Sequence, residues 1–160
     1  MTAGPQQDGD RIVRPGQGAG ARQAWMSVLS CARREDLEAN WSAFSGVQFA
    51  WLKRPEFGAA LVRGRVNGRE AEFNIGELTL TRCSVQLDGG EIGMSYVPGC
   101  AKRHAMMAAV LDALLQRSDT LAAEARRLIE RLVARQKAGR DAARAKTQES
   151  RVDFTMAQRD

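Results

Sequence analysis

Groups that perform chemistry are scarce in this 160-residue sequence. It has one histidine, His104, and three cysteines, Cys31, Cys83 and Cys100. The cysteines lie 52 and 17 residues apart, which matches no common zinc pattern. A metal cluster built by this chain alone is therefore not expected. Aromatic residues make up 6% and do not interleave with the basic segments. That argues against a stacking surface for single-stranded nucleic acid. No hydrophobic run approaches the roughly 18 residues of a membrane span. The stretch 1–21 has no apolar centre between its charges, so it does not read as a secretory signal. A reducing cytoplasm is the simplest compartment consistent with these absences. No Gly-Lys-Ser/Thr triplet marks a phosphate loop.

What is present is enough for one folded domain. Hydrophobic residues make up 44% and charged residues 27%, a balance that supports a core without staples. The net charge of +5 is unevenly placed. Residues 117–146 hold nine basic and four acidic side chains, whereas residues 1–116 hold thirteen and twelve. The body is near neutral and one helical arm is basic. Such an arm is either a solvated helix face or a surface for an acidic partner.

Residues 1–21 are rich in glycine and read as a disordered extension to a single domain over 22–157. Helices are expected over 22–46. Trp25, Val28, Leu29 and Ala32 form one apolar stripe, and Leu37, Trp41 and Phe44 form a second. Over 47–97 the period changes to two. Pro55 reads as a turn or an edge position. Asn67-Gly68 is a strong hairpin signal. Segments 69–75, 78–87 and 91–97 read as further strands. Their connections are too short for parallel crossovers, so an antiparallel meander of about four or five strands is expected. Helices return over 100–146, with a break at Ser118-Asp119. The first carries Met106, Met107, Val110, Leu111, Leu114 and Leu115 around most of its circumference, so it is buried on more than one side. The second shows a narrow stripe of Leu121, Ala125, Leu128 and Leu132. The apolar end, 150–157, reads as a docking tail. The fold class is α+β, with helices before and after the sheet and packed on one face.

Few residues qualify as site candidates. Arg82 lies mid-strand, where a guanidinium is an edge charge, a carboxylate partner or an anion contact. Glu77, five residues earlier, falls on the opposite face of that strand. Asp112 interrupts the apolar run MMAAVLDALLQ and must find a partner there. Arg82, reached across the sheet–helix interface, is the partner expected. His104 opens the same helix behind Lys102 and Arg103, as a polar first-turn residue or a general acid–base group. Cys83 reads as a small core hydrophobe. Cys100 precedes a helix, where a thiol can be activated, but no base neighbours it in sequence.

The segments FNIGELTLTRCSVQL (73–87), GMSYVPG (93–99) and AAVLDALLQ (108–116) resemble PhnG, the G subunit of the bacterial carbon–phosphorus lyase core complex. RQAWMSVL (22–29), RPEFGAALVRGRVNG (54–68) and SRVDFTM (150–156) share the likeness, which covers about residues 22–157. Arg82, His104 and Asp112 match the family pattern. Cys100 and Ala101 stand where the family carries Arg and Asp, and Met106 where it carries an acidic residue. The resemblance implies a subunit that assembles with H, I and J subunits and works with an L component. In that family they support transfer of an alkylphosphonate to C1 of the ribose of ATP, with loss of adenine. Carbon–phosphorus cleavage follows on the J subunit. ATP is then a substrate of the complex, and no cofactor is expected on this chain. Two other readings stand beside it: a small self-sufficient enzyme using Cys100, His104 and Asp112, and a nucleic-acid-binding module using 117–146.

Overall fold

A computed structural model describes residues 19–65 and 72–149. The chain runs through helix α1 (Ala19–Ser30), α2 (Arg34–Asn40) and a 3-10 turn (Trp41–Phe44) into three strands. These are β1 (Phe49–Gly64), β2 (Phe73–Leu87) and β3 (Ile92–Pro98). Helices α3 (Lys102–Leu115) and α4 (Thr120–Glu149) follow. The sheet is antiparallel in the order β1-β2-β3. The α+β class expected from the sequence is the one observed. No helix among the described residues is long and apolar enough to cross a membrane.

Among the described residues there are three strands where four or five were expected. Arg54-Pro55-Glu56 does not end a strand. β1 continues through it, with register irregularities between Trp51 and Lys53 and between Lys53 and Glu56. A proline is tolerated there because β1 lies at the sheet edge and the bulges relieve the ladder. Gly76-Glu77 likewise continues β2 instead of turning it. The Asn67-Gly68 hairpin signal and the 150–157 tail lie outside the described residues.

Helix α3 is the centre of the molecule. Eleven of its fourteen residues are buried, from His104 to Leu115. It packs on all three strands with one side and on α1, α2 and α4 with others. Small residues make this possible. Gly93 of β3 passes so close that a Cβ there would collide with the Ala109 carbonyl and lie 2.8 Å from the Ala113 Cβ. The alternation of β2 sends Thr81, Cys83, Val85 and Leu87 into the core. Helix α4 adds Ala125, Leu128, Ile129 and Leu132 to the same core.

The bend from β3 into α3 is fixed by two devices. Gly99 takes a positive φ of 80°, which a side chain would oppose. The buried Thr81 hydroxyl donates to the Gly99 carbonyl (2.6 Å) and accepts from the Ala101 amide (2.9 Å). The break expected at Ser118-Asp119 is present. Asp119 accepts from the Ala122 amide at 2.8 Å and so caps α4.

Candidate functional site

The most polar point of the interior is the carboxylate of Asp112, on α3 and fully buried. Four donors surround it. Arg22 donates through Nε to Oδ1 (3.1 Å) and through a terminal nitrogen to Oδ2 (2.7 Å). Trp25 Nε1 donates to Oδ1 (2.8 Å), and the Met94 amide to Oδ2 (2.9 Å). Arg22 also reaches the Ile92 carbonyl at 2.9 Å. The carboxylate thus ties α1, β3 and α3 together, and its acceptor capacity is filled. The bond to Asp112 raises the affinity of Arg22 for its proton above the ordinary range. A fork of this kind is a structural ion pair.

Arg82 is not the partner of Asp112. Strand alternation sends it to the outer face of the sheet, away from α3, because Thr81 and Cys83 occupy the inner face. There it donates from Nε to Glu56 at 2.5 Å, in an exposed cross-strand pair that Lys53 shares. Lys53 first, and Arg82 with it, hold the Glu56 carboxyl below the usual range. Arg22 and Trp25 are the residues that sequence reasoning missed. Their i, i+3 spacing puts two nitrogen donors on one side of α1, which is the signal that could have found them.

His104 is buried, and its Nε2 lies 2.8 Å from the Leu29 carbonyl at the end of α1. A carbonyl only accepts, so Nε2 carries the proton. The imidazole fastens the start of α3 to the end of α1. Asp112 lies eight positions further along the helix, about 12 Å along the axis. The two groups do not form a catalytic pair. Cys100 is exposed at the bend, and Cys83 is buried with its thiol pushed up to about 11 by desolvation. The residues of the self-sufficient-enzyme reading are therefore not assembled into one site. No group of three or more His, Cys, Asp or Glu among the described residues is placed to hold a metal.

The basic face of α4 is partly spent inside the fold. Arg131 donates to the Asn40 side chain, Arg135 pairs with Asp36, and Arg126 donates to the Arg117 carbonyl. Arg117 itself pairs with Asp119 at 2.8 Å. A nucleic-acid interface would need these cations free for phosphates.

Two surface features remain. An open cleft of about 280 Å³ lies between α1, β3 and α3 and includes Met26, Ser27, Met94 and Tyr96 in its lining. That lining supplies thioethers, hydroxyls and an amide, and no carboxylate, imidazole, thiol or cationic group. The second feature is an arm. β3 pairs only with Leu80–Gln86, so Gly58–Gly64 and Phe73–Thr79 run on as a two-stranded ribbon. Leu61, Ile75, Phe73 and Leu78 on it are 44–62% exposed.

These observations define a small α+β protein whose polar interior residues hold elements together and whose open surface is apolar. Residues 20–159 match the family model described as phosphonate metabolism protein PhnG, and the chain belongs to that family. It is similar to the alpha-D-ribose 1-methylphosphonate 5-triphosphate synthase subunit PhnG of Rhizobium meliloti (strain 1021). The two are 35% identical over 138 residues, which cover 86% of this chain and 88% of that protein.

Proposed function

We infer that the chain is a subunit of an α-D-ribose 1-methylphosphonate 5-triphosphate synthase and serves there as a scaffold and positioning element. Its partners in this reading are the H, I and J subunits of a carbon–phosphorus lyase core complex, with the L component. The assembly works in the cytoplasm and takes ATP as a substrate. It transfers an alkylphosphonate to C1 of the ribose and releases adenine, ahead of carbon–phosphorus cleavage. The reacting groups belong to the partners.

One observation supports this division most strongly. The buried Asp112 accepts four hydrogen bonds within its own fold, and His104 is committed to a backbone carbonyl. The family match and the relative named above support the synthase reading.

Co-expression with the H, I and J subunits, followed by size exclusion, tests the reading. The chain is expected to elute with them, and omitting it is expected to abolish adenine release from ATP and methylphosphonate. Full adenine release by the partners without this chain would overturn the reading.

A further inference from the structure

We propose that the β1–β2 arm is a docking element that inserts into an apolar cleft of a different protein subunit, with β1 adding its free edge to a strand of that partner. The inference deepens the reading of this chain as a subunit of a complex and rests on it for the existence of a partner.

The free edge follows from the ladder. Leu87 donates to Glu91, and Thr79 accepts from Gly99, so odd-numbered residues of β2 point their backbone groups toward β3. Leu78 and Leu80 then point toward β1, where they face Ala60 and Gly58. Phe57, Ala59 and Leu61 therefore turn their N–H and C=O groups away from β2. No backbone or side-chain group among the described residues covers them.

Where β3 forms the other edge of the sheet, that edge is treated differently; along the arm the β2 side, Phe73–Glu77, likewise has no strand beside it among the described residues. On β3, Asp112 covers the Met94 amide, and Arg22 and Gln116 cover the Ile92 carbonyl. The proline and two of the three register irregularities of β1 fall in its near half, and the third lies at the end of the bare stretch, between Val62 and Arg63. From Phe57 to Val62 the sequence FGAALV has no charge and no proline. A long, bare, apolar edge of this kind recruits another strand.

Both faces of the arm are open as well. By alternation Phe57 and Leu61 project on the helix side and Val62 and Leu78 on the other, and Phe73 and Ile75 add to the far end. These six side chains are 39–62% exposed. At about 200 Å² for a large apolar side chain, they present on the order of 600 Å². With the backbone between them this approaches the roughly 800 Å² per partner of a stable interface, and it exceeds the scattered exposure of an ordinary monomer.

The occupant is chosen by the arrangement. A second copy pairing arm to arm would cover one edge or one face of each ribbon and leave the others wet. Only a cleft encloses two faces and an edge. Arg63, Arg65, Glu72 and Glu77 balance in charge on the described part of the arm, so nucleic acid gains nothing there. Lipid would leave the free edge groups without partners. What fits is a protein cleft lined with apolar side chains and bordered by a strand edge.

The test uses the full chain co-expressed with the other subunits of the synthase. Leu61→Asp and Leu78→Asp place charge on the two faces of the arm, and Tyr96→Asp places it on the exposed outer face of β3. The arm variants are expected to keep the melting temperature of the parent and to lose at least tenfold in affinity, while Tyr96→Asp still co-elutes. In the parent complex, exchange of the Phe57, Ala59 and Leu61 amides is expected to slow at least tenfold relative to the free chain. That readout needs no variant to fold. Unchanged co-elution of the arm variants with unchanged amide exchange in the complex would overturn the inference alone. A parent dimer that the arm variants dissociate while co-elution persists would also overturn it, in favour of a second copy. A parent that co-elutes with no subunit would overturn the subunit reading and the inference with it.

Discussion

Asp112 shows how one residue can hold three elements. Removing it leaves Arg22, Trp25 and the Met94 amide facing an empty site; because Asp112 is fully buried but Arg22 is 32% exposed, the cost falls at the low end of the roughly 3–5 kcal/mol for breaking a buried pair. Asp112→Ala is therefore expected to lose that much stability in urea unfolding. Arg22→Leu combined with Asp112→Leu should recover part of the loss, because no charge is then left unpaired. The Arg22/Asp112 double-mutant cycle should show strong coupling, and the Arg82→Gln and Asp112→Asn changes should be additive within about 0.5 kcal/mol. Coupling to Arg82 instead would contradict the geometry. Cys83 gives a pH signature. Its thiol rises from the ordinary 9.0 to about 11 on burial. Between those values the folded state keeps a proton that the unfolded chain releases. The stabilisation is complete below pH 9 and lost as the pH climbs toward 11, by about 3 kcal/mol at most. Cys83→Ala should show a shallower decline over that window, measured as urea midpoints against pH. An identical decline would contradict the burial of the thiol. Asp112 was legible because it interrupts an apolar run, and Cys83 because it reads as a small core hydrophobe within an alternating strand; His104 was legible as a polar first-turn residue or acid–base group, not as the buried anchor on the Leu29 carbonyl that it is. Arg22 was not legible as the partner because ninety residues separate it from Asp112, and only the packing of α1 on α3 brings them together.

At the scale of elements, small residues set the spacing between sheet and helix. Gly93 faces the Ala109 carbonyl and Ala113, so Gly93→Ala forces β3 away from α3. The cost is expected at the upper end of roughly 1–3 kcal/mol. A thermal melt measures it, and an unchanged melting temperature would mean the approach is looser than described. Helix α3 was legible from its apolar circumference, and the two-residue period identified the sheet. The strand count was not legible. Pro55 and Gly76 are turn formers in most contexts, yet an edge position absorbs the proline and a long ribbon absorbs the glycine. The arm was legible only in part. FGAALV reads as a strand, but nothing in its sequence says that no described strand joins its outer edge, or that β3 ends opposite Leu80 and leaves the β2 half of the arm unpaired.

The whole molecule divides its labour by surface. Its interior spends the available histidine and the unusual carboxylate on holding α1, β3 and α3 together, and its arm leaves apolar area to water. Docking of the arm on a partner raises the chain's apparent stability with partner concentration, because only the native state binds. Its melting temperature in the assembly is accordingly expected to exceed that of the free chain, and Leu61→Asp should remove the increment while leaving the free chain unchanged. The central claim is that this polypeptide positions and does not react. The most direct measurement is adenine release from ATP and methylphosphonate by the purified chain, by the partner subunits without it, and by the reconstituted complex. Release from the complex alone, kept when Cys100 is replaced by Ser, is the expected result. Turnover by the isolated chain, lost on changing Cys100 or His104 in a protein that still folds, would contradict it.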